Sequence, residues 1–150
     1  MKLIIGGVFQ GKKTFAQQLT GVSLEMAVDG MTCTYEELLQ APMIYHFHEF
    51  VKRRIQENLP YKQLAQELAE KNPQVVIVTN ELGYGVVPVD KFDRRYREDT
   101  SRLCCELAAA SEQVWRVCCG IGTCIKDTNT CVDQDPKKDR DPDIAEAAKI

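Results

Sequence analysis

The chain has 150 residues, 44% of them hydrophobic and 27% charged, which is a single-domain length with enough apolar material for a real core. Its net charge is −3, and the excess sits at one end: residues 127–150 hold seven acidic and four basic groups, leaving 15 of each in the rest of the chain. A balanced body argues against a nucleic-acid-binding module, whose footprint is a basic patch, and no apolar stretch approaches the length of a membrane span.

The apolar run Leu3-Ile4-Ile5 opens the chain as a first strand and turns glycine-rich too soon for a secretion signal. Gly6-Gly7-Val8-Phe9-Gln10-Gly11-Lys12-Lys13 follows, then a helix from about Lys12 to Leu19. Strand, glycine loop and helix in this order nearly match the phosphate-cradling pattern G-x-x-x-x-G-K-[ST]. Glycines let successive backbone N–H groups turn inward around a phosphate, and the helix aims its positive end at it. Lys12 is placed to reach the outer phosphates. Lys13 stands where a hydroxyl would hold Mg²⁺, and Thr14 is one residue late, about 100° further round the helix. The bland alternative is a glycine-rich turn before a surface helix.

Residues 20–32 read as a connection. Thr34 and Glu37 form a capping box for a short helix ending near Gln40, and residues 42–46 suit a second strand. Phe47, Phe50, Val51 and Ile55 recur at helical spacing up to Gln56. A further helix starts at Pro60 or Tyr61 and stops at Lys71-Asn72-Pro73. Val75-Val76-Ile77-Val78-Thr79 is apolar on both faces, as a buried parallel strand should be. A glycine-containing loop, residues 80–88, leads to a long helix from about Asp90 to Ser111. Residues 114–118 form a last strand, closed by Gly120-Ile121-Gly122. Alternating strands and helices predict an α/β fold, a P-loop-type mostly parallel sheet with helices on both faces. The domain is expected over residues 1–126, with residues 127–150 a polar, disordered tail.

Seven cysteines, adjacent at Cys104-Cys105 and Cys118-Cys119 and without a C-x-x-C, fit neither a zinc site nor a disulfide framework. Reduced cytoplasmic thiols acting as small core residues are expected, with Cys33, Cys124 and Cys131 as exposed thiols.

Ligands of open parallel sheets bind beyond the carboxyl ends of the strands. Three features belong there: the Gly6–Lys13 loop; Thr79-Asn80-Glu81-Leu82-Gly83-Tyr84-Gly85; and Arg94 and Arg97, which share a helix face. Glu81 suits Mg²⁺ or a substrate hydroxyl, or else is a solvated loop acid. The arginines suit phosphate, or else surface salt bridges with Asp93, Glu98 and Asp99. His46 and His48 lie on one side if residues 44–48 are extended. They lack companion metal ligands, so a hydrogen-bonding role or a histidine nucleophile remains for them.

Residues 78–88, Arg94-Arg95-Tyr96-Arg97-Glu98, the ending Val114-Trp115 … Gly120-Ile121-Gly122 and the opening Gly6-Gly7 … Gly11-Lys12 together resemble the adenosylcobinamide kinase / adenosylcobinamide-phosphate guanylyltransferase family of cobalamin biosynthesis. Its patterns are T/S-N-E-V-G-x-G-I-V-P, R-x-F-R-D-x-x-G-x-x-N-Q-x-L-A and G-G-x-x-S-G-K-S. Lys13 replaces the loop serine, Ser101 the glycine and Cys104 the asparagine, and the middle is shorter. The family helix with the guanylyl-accepting histidine has no counterpart here. His46 falls where the strand aspartate belongs and is the remaining guanylylated-histidine candidate.

The resemblance implies a kinase acting on adenosylcobinamide or a related corrinoid, with ATP or GTP as donor and Mg²⁺. Lys12 and Glu81 would be its catalytic residues, with Glu81 on the metal. Residues Gly6, Gly7, Val8, Phe9, Gln10, Gly11, Lys12, Lys13 and Thr14 would bind the nucleotide, and Asn80, Gly83, Gly85, Arg94 and Arg97 the substrate. It also implies a homo-oligomer. The alternatives are a catalytically degenerate nucleotide- or corrinoid-binding protein and a homologue without a ligand.

Overall fold

The computed structural model describes residues 1–129. The expected tail beyond Asn129, with Cys131, lies outside the described residues. In chain order the elements are β1 (Lys2–Ile5), α1 (Lys12–Thr20), β2 (Val28–Asp29), α2 (Tyr35–Gln40), β3 (Met43–Tyr45), α3 (Phe47–Gln56), α4 (Leu64–Lys71), β4 (Val76–Val78), α5 (Lys91–Ala110), β5 (Gln113–Cys118) and β6 (Ile121–Asp127). They build one sheet in the order β2-β3-β4-β1-β5-β6. Every pairing is parallel except the hairpin of β5 with β6.

Side chains of a strand alternate between faces, and the core divides accordingly. Leu3, Ile44, Ile77 and Val114 pack with Leu38, Phe47, Phe50, Leu64, Leu68, Leu103 and Leu107 from α2, α3, α4 and α5. Ile4, Met43, Val76, Val78 and Val117 face the other way, against Ala16, Phe15 and Leu19 of α1. The α/β class, the mostly parallel sheet and the helices on both faces thus stand as the sequence implies.

Local chemistry sets the element ends. The Thr34 side chain accepts from the Glu37 N–H, and the Glu37 carboxylate accepts from the Thr34 N–H, closing the capping box. Asp90 caps α5 by accepting from the N–H groups of Phe92 and Asp93, and Ser111 ends it. The helix expected from Pro60 starts instead at Leu64, because Tyr61 turns inward first and its hydroxyl donates to Asp99.

Two strands are additions to the sequence reading. Val28 and Asp29, expected in a connection, pair with Ile44 and Tyr45. Residues 121–127 form β6, running one residue past the expected domain end. A Cβ on its Gly122 would lie 2.0 Å from the Phe15 ring, so any larger residue there must displace that ring. The thiol expectation also changes. Cys33 is buried rather than exposed, Cys105, Cys118 and Cys119 are exposed rather than core, and Cys124 is exposed as expected. Turn geometry explains Cys119, which has a left-handed φ of 51° beside Gly120 at 79° in the β5–β6 hairpin, where side chains point to solvent.

Candidate active site

The connection from β1 runs through α1 on one face, and that from β4 through α5 on the other. The carboxyl ends of β1 and β4 therefore flank a crevice, the usual ligand position in such sheets. The Gly6–Lys13 loop and Thr79–Glu81 meet there, joined by the Glu81 N–H donating to the Gly6 carbonyl at 3.0 Å. They share a cavity of about 290 Å³ lined by residues 8–14, Tyr45, His46, His48 and 78–80.

The loop is anchored along its length. A Cβ on Gly6 would sit 2.4 Å from the Val117 carbonyl oxygen, so only glycine fits against β5. Gln10 holds the β5–β6 turn: its carbonyl accepts from the Gly120 N–H at 2.8 Å and its side chain from the Cys119 N–H at 2.7 Å. Phe9 and Gly11 take left-handed φ values of 57° and 81°, and alternation of this kind turns consecutive N–H groups to one side. The first N–H groups of α1, which a helix leaves unpaired, open on the same cavity.

Lys12 is 8% exposed, and its ammonium donates to the Gly7 carbonyl within the loop. Burial pulls its pKa below the ordinary lysine value, and the Glu81 charge partly restores it. Lys13 points elsewhere, with its ammonium 3.9 Å from the centre of the Tyr45 ring. Thr14, one residue late in the pattern, still lines the cavity.

The histidines do not alternate along an extended segment. His46 caps the N-terminus of α3 with a left-handed φ of 53°, and His48 is already helical. Packing imposes the turn: the His46 carbonyl lies where a Cβ on Gly30 would be, 2.3 Å away, and the Gly30 N–H donates to the Tyr45 carbonyl. A non-glycine residue held in this conformation is a common mark of a functional position. His46 Nδ1 lies 2.9 Å from an Asp29 carboxylate oxygen. With Asp29 accepting the Nδ1 proton, Nε2 is left with a free lone pair at the cavity wall.

His48 is 5% exposed and locks Asn80. The Asn80 backbone N–H donates to Nδ1 at 3.2 Å, so Nε2 carries the ring proton and the side-chain amide 3.0 Å away must present its oxygen. Burial, reinforced by the positive charges of His46, Lys12 and Lys52 and opposed by Asp29, pushes its pKa down to about 4.

Arg116 of β5 grips Glu81 with Nε 3.1 Å from one carboxylate oxygen, and it reaches the Tyr84 hydroxyl at 2.8 Å. Arg94 and Arg97 do not line the cavity: Arg94 donates to the carbonyls of Pro88 and Val89, and Arg97 to those of Gly83, Gly85 and Val86. They strap the loop that carries Glu81 to α5. No cluster of three or more metal-ligating side chains occurs among the described residues.

Sequence reasoning missed Asp29, Tyr45 and Arg116. Asp29 sat in a segment without periodicity, and Arg116 looked like an ordinary outward strand residue. Only the alternation of β5, with Val117 inward and Arg116 outward, hinted that it faced the loop after β4.

A family model described as cobinamide kinase / cobinamide phosphate guanyltransferase matches residues 23–125, more than half of the chain. The chain belongs to this family. The matched region starts after the glycine loop, so the family assignment and the geometry of that loop are independent observations. Among curated proteins, the bifunctional adenosylcobalamin biosynthesis proteins CobU of Salmonella typhimurium and Escherichia coli are each 47% identical to this chain over 53 residues. That alignment covers 35% of the chain and 29% of each relative. Among the described residues no helix is long and apolar enough to cross a membrane.

Proposed function

We propose that this chain binds a nucleoside triphosphate, ATP or GTP, on the Gly6–Lys13 loop and transfers its terminal phosphoryl group to a hydroxyl of adenosylcobinamide or a related corrinoid. The observation that carries the reading is Lys12, buried beneath the loop with its ammonium on the Gly7 carbonyl at the floor of the cavity. A partly desolvated cation beside preorganised N–H groups stabilises charge on a transferring phosphoryl group.

In the transfer, the acceptor oxygen attacks the terminal phosphorus, the bond to the bridging oxygen breaks, and the nucleoside diphosphate leaves. His46 Nε2, oriented by Asp29, takes the acceptor proton. Glu81, now paired with Arg116, is the carboxylate that would hold Mg²⁺, and the ion would neutralise charge on the transferring phosphoryl group. Arg94 and Arg97 contribute by holding the Asn80–Gly85 loop in place. His46 is also the candidate guanylyl acceptor: attack of Nε2 on the α-phosphorus of GTP would displace pyrophosphate and leave a phosphoramidate.

The exposed apolar run of Tyr84, Val86, Val87 and Val89 supports assembly of several copies, which light scattering reads. The second reading, a degenerate binder, draws on Lys13 replacing the loop hydroxyl and on Glu81 being held in an ion pair.

Purified protein incubated with Mg-ATP or Mg-GTP and adenosylcobinamide separates the two by mass spectrometry of the corrinoid. Phosphorylated product that disappears in Lys12→Ala supports the kinase. Calorimetric nucleotide binding without product supports the binder. Absence of nucleotide binding refutes both. An intact-mass gain of one GMP with GTP, lost in His46→Ala, tests guanylylation.

A further inference from the structure

A second cavity, of about 270 Å³, opens on the other side of Asn80. Ile5, Leu82 and Tyr84 form its apolar walls, and Thr100, Ser101 and Cys104 of α5 its polar one. We infer that this cavity receives a short, uncharged, hydroxyl- or amide-bearing arm of the phosphoryl acceptor, with the Thr100 hydroxyl as its anchor; the inference rests on the kinase reading above.

Three observations converge on it. The first is charge. The triphosphate cavity is floored by Lys12 and edged by Lys13, whereas no lysine or arginine lines the second. Its one acid, Glu81, is already paired with Arg116. A phosphate has no partner there, and a neutral polar group does.

The second is an unmet hydrogen bond. Thr100 is 1% exposed and its hydroxyl has no partner, although it lines the cavity. Buried polar groups are nearly always satisfied, and an exception calls for a reason such as a ligand. No neighbouring hydroxyl supplies one: that of Tyr96, a helical turn before Thr100 on the same face, is itself without a partner, and so is that of Thr79. Burial pushes the Cys104 thiol, a turn later, up to about 12, so it stays a weak neutral donor.

The third is position. Asn80 lines both cavities, and His48 fixes its amide. A group seated in the second cavity therefore meets the terminal phosphate of a nucleotide in the first across one side chain. A water molecule takes about 30 Å³ of liquid, so the volume suits a side arm and leaves the body of a large acceptor outside.

Thr100→Val tests this, because it removes the hydroxyl and keeps the shape. The corrinoid KM should rise about tenfold, as for one lost hydrogen bond. The nucleotide Kd by calorimetry should stay unchanged, and the melting temperature should hold or rise, since an unsatisfied group has been removed. Thr100→Ser, which keeps the hydroxyl, should restore the corrinoid KM. An unchanged KM in Thr100→Val, with active wild type, overturns the pocket assignment and leaves the kinase reading standing. If the wild type binds nucleotide but forms no product, the kinase reading falls, and calorimetry with adenosylcobinamide then decides the pocket. Weaker corrinoid binding by Thr100→Val than by wild type supports it; equal binding, or none by wild type, overturns it.

Discussion

Acidification should weaken this fold through His48. Its folded pKa of about 4 lies below the ordinary 6.5 because the ring is buried beside positive charges. The folded state therefore refuses a proton that the unfolded chain accepts. Stability from this group is fully present above 6.5, falls as pH drops from there toward 4, and loses nothing more below. Linkage between those values gives a loss of about 2 kcal/mol from pH 7 to pH 5. In a domain of this size that is a fall in Tm of about 4 to 8 °C. Other groups contribute to the pH dependence as well, so the informative quantity is a difference from His48→Gln, which keeps one donor and one acceptor for Asn80. Urea unfolding of both proteins at pH 7 and pH 5 measures it. Wild type should lose about 2 kcal/mol more than the variant. Parallel losses would refute the claim that His48 is held neutral. The same protonation would remove the Nδ1 acceptor of the Asn80 N–H, so loosening of the loop after β4, read by hydrogen exchange, should accompany the loss.

Gly122→Ala should cost about 1–3 kcal/mol in chemical denaturation, because the new methyl meets the Phe15 ring, which packs on Trp115 with ring centres 5.5 Å apart. Arg97→Ala should leave nucleotide affinity by calorimetry unchanged while raising protease susceptibility between Gly83 and Val89, since three loop carbonyls lose their donor. Lys13→Ser restores a hydroxyl and removes the ammonium from the Tyr45 ring, so turnover at limiting Mg²⁺ should rise; no change would show that Lys13 serves the reaction as it stands. Asp29→Asn, which removes the acceptor that orients His46, should lower kcat with little effect on nucleotide Kd by calorimetry.

Most of the scaffold could be read from residues alone. The glycine loop, the capping box at Thr34 and the wholly apolar β4 each follow from a local rule, because each is decided by neighbours within a few positions. What escaped was decided at a distance. β2 is two residues long and exists because β3 lies alongside, which no periodicity reveals. β6 is an edge strand whose apolar Ile121 and Ile125 face outward, so its pattern reads as loop. The bend at His46 comes from Gly30 pressing on its carbonyl, 16 positions away in sequence, and the Asp29 partner comes with it. Arg94 and Arg97 show the converse. Their shared helix face was correctly read, but the carbonyls they hold belong to the loop itself.

The tethering of the Gly6–Lys13 loop to β5 and its hairpin has a thermodynamic consequence. Gly6 is seated on Val117 and Gln10 on the turn at Cys119 and Gly120, so both halves of the loop are fixed before any anion arrives. A loop ordered in advance forfeits little backbone freedom on binding. Most of the unfavourable entropy of nucleotide capture should then come from immobilising the ligand, and releasing the loop by Gln10→Ala should appear in calorimetry as an entropic penalty more than a lost enthalpy.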